Sequence, residues 1–432
     1  MTDSHVSLNG MTYCQKIFGC QMNENDAERV AGMLDAQGCL PVSTIEEADI
    51  VIFLTCCVRE AADVRLMGQV ASLKNIPSAH DMHRIVAIGG CIGQRDGEKL
   101  RETLPHVDVV FGTHNLGHLV DLIEQRVATG KPVVETIEAN DGFSSDLPAT
   151  RVKSWSAWVP IMTGCNNFCT YCIVPYVRGR EASRTLEDIQ AELAKLAEQG
   201  IKEITLLGQN VNSYGRDLYG KPKFAEVLRM AGESGIPRVR FVTSHPKDLL
   251  PETIATMASY PNIMPQLHLP LQSGSDRILK EMNRVYDVER YRFIVAELRR
   301  QIPDIALSTD IIVGFPGRRK KTSKPLMTSS KRSATARCSP LSTLSARARP
   351  PRRWKTTRRA RSYRSASTGW SSLSKSLPMS KTRRSSDVLY PFSSRGRASA
   401  MRRCSLARAP RTRPSMRLSL PPRASTRWWA RL

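Results

Sequence analysis

Gly164-Cys165-Asn166-Asn167-Phe168-Cys169-Thr170-Tyr171-Cys172 is the stretch from which the rest of the chain can be read. Its cysteines are spaced C-x3-C-x-aromatic-C. Three thiolates this close can hold three irons of a [4Fe–4S] cluster and leave the fourth iron without a protein ligand. An open iron can bind and reduce a small molecule. A structural zinc site is the alternative, but zinc usually takes four ligands from paired C-x2-C motifs. No second pair lies nearby.

The 432 residues leave room for two or three domains. The segment Met1 to Met11 is polar, so no secretory signal precedes the 11 cysteines, and no apolar run is long enough to span a membrane. The thiols are therefore read as ligands in the cytoplasm rather than as disulfides. The net charge of +24 is unevenly placed. Residues 318–432 hold 32 of the 64 Lys and Arg but one acid, Asp387, leaving 32 basic against 39 acidic residues in 1–317, about −7. Whole-chain charge is thus no argument for nucleic-acid binding.

The pattern is α/β throughout 1–317: an open parallel-sheet domain, then a partial (β/α) barrel. In residues 1–140, strands are expected at Thr12–Phe18, Asp49–Thr55, Arg84–Gly90 and Val107–Phe111, with helices at Glu24–Ala36, Ala61–Lys74 and Leu116–Arg126. Residues 141–151 form the linker, within the polar run Glu138–Arg151. In residues 152–317, strands are expected at Ala157–Met162, Glu203–Leu207, Val239–Thr243, Gln266–Leu269 and Ile305–Val313. Helices fall between them at Leu186–Gln199, Phe224–Glu233, Pro251–Ser259, Ser275–Met282 and Val288–Gln301. Five strand–helix units with the sixth missing make a truncated barrel, whose active groups belong at the C-terminal strand ends.

Residues 318–432 break this pattern. They are rich in Arg, Ser and Pro, with no sustained apolar period. A disordered basic tail that binds nucleic acid is one reading. An out-of-frame translation explains more, because composition changes abruptly at Gly317/Arg318, straight after a strand and a Phe-Pro-Gly turn. Arg353-Trp354-Lys355-Thr356, re-read one base earlier, gives a small residue and then Met-Glu-Asp. On that reading the tail has no selected fold.

A second cysteine triplet lies at the strand ends of the first domain. Cys20 follows the first strand, Cys56 the second strong strand and Cys91 the third. Ligands of an open parallel sheet bind outside the carboxyl ends of its strands, so these thiols are expected to converge on a second three-Cys cluster. Small buried cysteines are also common in cores. Cys14, within a strand, and Cys39, after a helix, are read as packing residues, whereas Cys57 competes with Cys56.

These motifs resemble the radical S-adenosylmethionine (SAM) methylthiotransferases. Gly19-Cys20-Gln21-Met22-Asn23, Thr55-Cys56-Cys57-Val58-Arg59-Glu60 and Gly90-Cys91-Ile92-Gly93-Gln94 are similar to their amino-terminal domain. Thr163–Arg180, Leu207–Gly215, Thr243-Ser244-His245-Pro246, Leu269–Ser275 and Asp310–Gly317 are similar to their radical SAM core. The resemblance covers about 11–317. Gly-Cys-Gln-Met-Asn and Gly-Gln-Asn-Val-Asn resemble the branch that methylthiolates N6-dimethylallyladenosine (isopentenyladenosine) in tRNA, not the branch acting on a ribosomal protein. Leu54 stands where the family usually has Asn. The family's carboxyl-terminal RNA-binding barrel is not recognisable in 318–432.

The resemblance implies two [4Fe–4S] clusters, one on Cys20, Cys56 and Cys91, the other on Cys165, Cys169 and Cys172 with SAM. It implies a transferase that uses a SAM-derived radical to methylthiolate C2 of the base. A tRNA substrate, an electron donor such as a flavodoxin or ferredoxin, a monomer and a cytoplasmic location follow. The alternatives are a methylthiotransferase acting on another tRNA base or a ribosomal protein, an inactive frameshifted product, or an RNA-binding protein with structural metal sites. Tyr171 is expected near the cofactor adenine, with packing the competing role. Gly208, Gln209 and Asn210 are expected to touch the cofactor at a strand end. Arg178, Arg180 and Arg184 read as a solvated basic loop, with carboxylate or phosphate binding as the alternative. His245 and Gln272 also fall at strand ends.

Overall fold

Strand β3 (Ile50–Thr55) is apolar at Ile50 through Leu54 and buried at every residue, as a central parallel strand covered on both faces must be. Around it lie β1 (Thr12–Phe18), β2 (Leu40–Pro41), β4 (Ile85–Gly90), β5 (Val109–Phe111) and β6 (Val133–Glu135), in the order β2-β1-β3-β4-β5-β6. All neighbours pair in parallel. The computed structural model describes residues 7–57, 60–77, 80, 83–137 and 147–316, with 60–62 as backbone only, and the backbone of 337–342. Most of the expected linker, and the rest of the tail, lie outside the described residues. The described residues belong to one unit, Met1–Met379.

Alternation along β3 splits its side chains between two cores. Ile50, Ile52 and Leu54 pack with Val30, Leu34 and Ile123, whereas Val51 and Phe53 pack with Leu66, Val70 and Ile92. The covering helices are α1 (Gln21–Ala36), α2 (Glu60–Ser72), α3 (Cys91–Asp96), α4 (Glu98–Thr103) and α5 (Leu119–Thr129). The register matters most for function. Phe18 pairs with Thr55, and Thr55 with Gly90, so three strands end on one level.

The second domain carries β7 (Ser156–Pro160), a short antiparallel pair β8 (Met162–Thr163) and β9 (Ala182–Ser183), then β10 (Glu203–Leu207), β11 (Arg238–Phe241), β12 (Gln266–His268) and β13 (Ala306–Val313). Its helices are α6 (Val174–Val177), α7 (Leu186–Glu198), α8 (Arg216–Tyr219), α9 (Phe224–Glu233), α10 (Pro251–Ser259), α11 (Asp276–Glu281) and α12 (Val288–Gln301). Two cap side chains set helix starts. Thr185 accepts from Asp188 N–H at 3.1 Å, and Asp287 from Arg290 N–H at 2.7 Å. Parallel ladders join β7-β10-β11 and β12-β13, and Val239 bridges to Ile263 between them.

One expectation is corrected. The sixth strand position is filled, because β14 (Arg337–Ser342) pairs in parallel with β13 over Ser308 to Val313. An open edge presents unpaired N–H and C=O groups to any extended backbone, and ladder bonds do not depend on side chains. Pro340 has no N–H to donate, which an edge strand tolerates.

Leu54, the residue that departs from the family pattern, is fully buried in the core between β3 and α1. Leu54→Ala should lower unfolding stability by about 2–5 kcal/mol in denaturant titration.

Candidate metal centres

The level strand ends bring the first triplet together. Cys20 is the N-cap of α1, Cys56 follows β3, and Cys91 opens α3. Cys56 stands close enough to Cys20, and Cys57 to Cys91, to shift the partner's titration, so Cys57 belongs to the same group. Gly90 permits the approach. Its φ is +85°, and a Cβ there would lie 2.8 Å from the Thr55 carbonyl oxygen. Cys14 and Cys39 are buried packing residues, as expected.

A guanidinium reaches this group from the other domain. Arg178, just after α6, is buried and donates from Nη2 to Asp26 Oδ2 at 3.1 Å. Helix α6 packs on α3, which Cys91 opens, and the Arg178 charge acts on Cys91 and Cys20. The Cys56 thiol, and then the Arg178 charge, hold Cys20 below the usual thiol range. The Cys57 thiol, and then Arg178, do the same for Cys91, while Cys57 itself is pushed up. The expected solvated loop is therefore corrected. Arg178 holds a carboxylate, Arg184 is buried against the Pro160 carbonyl and Glu192, and Arg180 stacks on Phe168 with Cζ 4.4 Å from the ring centre. Arg178 and Arg184 lie between packed elements, where a solvated position is impossible, whereas Arg180 is exposed, as the sequence reading expected.

The second triplet sits in the loop between β8 and α6. Gly164 has φ +73°, and a Cβ would run into the Arg180 carbonyl oxygen. Phe168 adopts φ +46°, a left-handed conformation rare outside glycine. Asn283 Nδ2 holds it there by donating to the carbonyls of Asn167 at 3.2 Å and Phe168 at 3.0 Å. Cys165 Sγ accepts from Asn167 Nδ2 at 3.5 Å, and Cys169 Sγ from Arg284 Nη1 at 3.4 Å. Burial pushes the Cys172 thiol up to about 12 and raises Cys165 as well, so a metal must displace their protons.

Among the described residues, no three Cys, His, Asp or Glu side chains are grouped as a single ion requires. An iron–sulfur cube takes each thiolate at a different iron, so its ligands stand further apart than those of one zinc. Each triplet offers the three thiols that such a cube takes from protein.

Unpaired polar atoms gather at the barrel strand ends. Gln209 Oε1, Asn210 Oδ1, Asn212 Nδ2, Ser244 Oγ, His245 Nε2 and Gln272 Oε1 are buried without a hydrogen-bond partner. Thr243 and Gln272 have φ +65° and +66°. Each feature costs free energy, and such costs persist where a ligand satisfies the groups. Gly208 closes β10 against Met162, and Asn210 Nδ2 donates to Asp248 Oδ2 at 2.7 Å. Tyr171 packs on Ile278, Met282, Ile312 and Phe315, the competing role named for it. The Lys247 backbone N–H donates to His245 Nδ1 at 3.2 Å, so the neutral ring carries its proton on Nε2. Burial, then Arg284 and Lys247, lower His245 to about 2.

Sequence reasoning did not single out Arg284, Asn212 or Ser244. Two weak signals existed: Arg284 follows a helix end, and Ser244 precedes a strand-end histidine.

Fold and site define a radical SAM protein: a parallel-sheet domain with clustered thiols, then parallel barrel strands with a three-cysteine loop. The Radical SAM superfamily matches residues 159–323, and the uncharacterized protein family UPF0004 matches 12–112. The tRNA-2-methylthio-N(6)-dimethylallyladenosine synthase of Clostridium botulinum (strain Langeland) is 48% identical over 307 residues, covering 70% of this chain and 68% of that protein. The protein of the same name from Clostridium perfringens (strain 13) is 49% identical, covering 71% and 69%. The chain belongs to this synthase family. Among solved structures, the radical SAM methyltransferase TsrM of Kitasatospora setae shares the fold at TM-score 0.56 and 12% identity, over 77% of this chain and 75% of that one.

Two outcomes follow for the metal-free protein. Iodoacetamide at pH 7, read by peptide mass spectrometry, should label exposed Cys20 well before Cys172, because the thiolate is the reactive form. His245 stays neutral when folded but binds a proton below its ordinary 6.5 when unfolded. Its contribution to stability is therefore present above pH 6.5 and is lost as pH falls toward 2. His245→Gln should remove up to one proton from the slope of unfolding free energy against pH.

Proposed function

We propose that this chain is a radical SAM tRNA methylthiotransferase acting on C2 of N6-dimethylallyladenosine in tRNA near the anticodon. The observation that carries the reading is the pair of thiol groups, one at the sheet's strand ends and one in the loop between β8 and α6, each with one buried arginine. Cys165, Cys169 and Cys172 would hold the cluster that takes SAM, and Cys20, Cys56 and Cys91 the other. Bound there, the clusters would supply the sulfur and, once reduced by the donor protein, the electron that splits SAM. The chain's own residues do the rest. Arg284 fixes Cys169, and the unpaired amides of Gln209, Asn210 and Asn212 offer hydrogen bonds to cofactor or base. His245 offers a neutral N–H donor and no charge. The partners are tRNA and a flavodoxin- or ferredoxin-type electron donor, with the chain a cytoplasmic monomer. No helix among the described residues is long and apolar enough to cross a membrane.

We also read residues 318–432 as out of frame. The composition changes abruptly at Gly317/Arg318, and the Clostridium botulinum relative aligns with 70% of this chain. Resequencing across the codons for Gly317 and Arg318 tests this: a missing or extra base supports it, and an intact frame overturns it.

The activity test uses full-length protein reconstituted anaerobically with iron and sulfide, then given SAM, dithionite and RNA containing the dimethylallyl base. Nucleoside mass spectrometry should detect the 2-methylthio product. Ala at Cys165, Cys169 or Cys172 should abolish both SAM cleavage and product. Ala at Cys20, Cys56 or Cys91 should abolish product but leave 5′-deoxyadenosine formation. Product formation by any of these six variants would remove that cysteine from the site.

A further inference from the structure

The two triplets are joined by a short stretch of chain. Cys172 is followed directly by Ile173, α6 and Arg178. The stretch is held at both ends by the barrel loop, since Cys172 N–H donates to the Cys169 carbonyl at 2.8 Å and Cys165 N–H to the Gly179 carbonyl at 3.2 Å. In its middle it is held by the other domain, where Thr113 Oγ1 donates to the Val177 carbonyl. Arg178 then places its guanidinium among the thiols of the first triplet.

Among the described residues, Arg95 is a second cation near Cys57, and it is tied to Asp63 at 2.8 Å and to Asp96 at 2.5 Å. Arg178 is buried, donates from Nη2 to one carboxylate, Asp26, and its charge acts on Cys91 and Cys20. A buried charge acts strongly on its neighbours because little water screens it. Gaining one electron adds one negative charge to an iron–sulfur centre, and fixed charges and hydrogen bonds to its sulfurs set its potential.

We propose that Arg178 is a positioning residue that sets the reduction potential of the N-terminal centre, with Asp26 tempering its charge, and that it does so from a segment anchored to the SAM-binding loop. The proposal rests on Cys20, Cys56 and Cys91 holding a cluster. Lysine keeps the charge but lacks the planar, multi-donor guanidinium that holds Asp26 while its charge faces the thiols, so it is a partial substitute.

The test uses the full chain carrying Cys165→Ala, Cys169→Ala and Cys172→Ala, so that only the N-terminal centre loads. After anaerobic reconstitution this parent should bind about four irons and give a reduced-cluster EPR signal. If it binds none, the cluster reading fails and the inference falls with it. If it loads, potentiometric EPR titration compares Arg178→Gln, Arg178→Lys and Asp26→Asn on that background. Arg178→Gln should lower the midpoint potential, Arg178→Lys should lower it less, and Asp26→Asn should raise it. A merely structural role would not move the two neutral variants in opposite directions. Should Arg178→Gln not fold by circular dichroism, Asp26→Asn decides, because it keeps the guanidinium. A potential unchanged from the parent overturns the proposal, even with the iron signal intact.

Discussion

Three parallel strands ending on one level are the constraint on which the rest depends. Phe18 stands opposite Thr55 and Thr55 opposite Gly90, so the next residues of all three strands turn out over the same sheet edge. Cysteines separated by more than thirty residues thereby become neighbours. A one-residue slip in either ladder would exchange the faces of Ile52 and Phe53 and bury the wrong side chains in both cores. The hydrophobic packing that stabilises the sheet is thus also what aligns the thiols. Gly90 makes the alignment sterically possible, because no side chain fits beside the Thr55 carbonyl.

The barrel reaches a similar end by different means. Its cysteines are close in sequence, and what needs holding is their loop. Phe168 and Gln272 adopt left-handed backbone, and six polar atoms at the strand ends stay buried and unpaired. Packing of the barrel strands against α7, α9, α10 and α12 offsets these costs. A charge complements each thiol group, Arg178 from the opposite domain and Arg284 from within the barrel.

Much of this was legible in the sequence because strong periodic signals carried it. Ile50–Thr55 is too apolar to be anything but a covered strand, and Phe224–Glu233, Pro251–Ser259 and Val288–Gln301 have clear helical spacing, with Pro251 and Asp287 marking the starts of the last two. The strand-end rule located Cys20, Cys56 and Cys91. The short elements were not legible. Strands β2 and β6 hold two and three residues, and α3 carries Gly93 in its middle. Arg178 could not be placed because its burial comes from the docking of two domains. Strand β14 could not be foreseen because Arg337–Ser342 has no apolar alternation, and backbone pairing needs none. The strain at Gln272 likewise shows only once β12 and β13 are in place.

The most direct measurement is the iron and acid-labile sulfide content of the full chain after anaerobic reconstitution. Two cubes on two cysteine triplets require about eight of each per chain. That value, falling by about half when either triplet is replaced by alanine, is the expected result. Zinc in place of iron, or an iron content indifferent to Cys20, Cys56 and Cys91, would contradict the account.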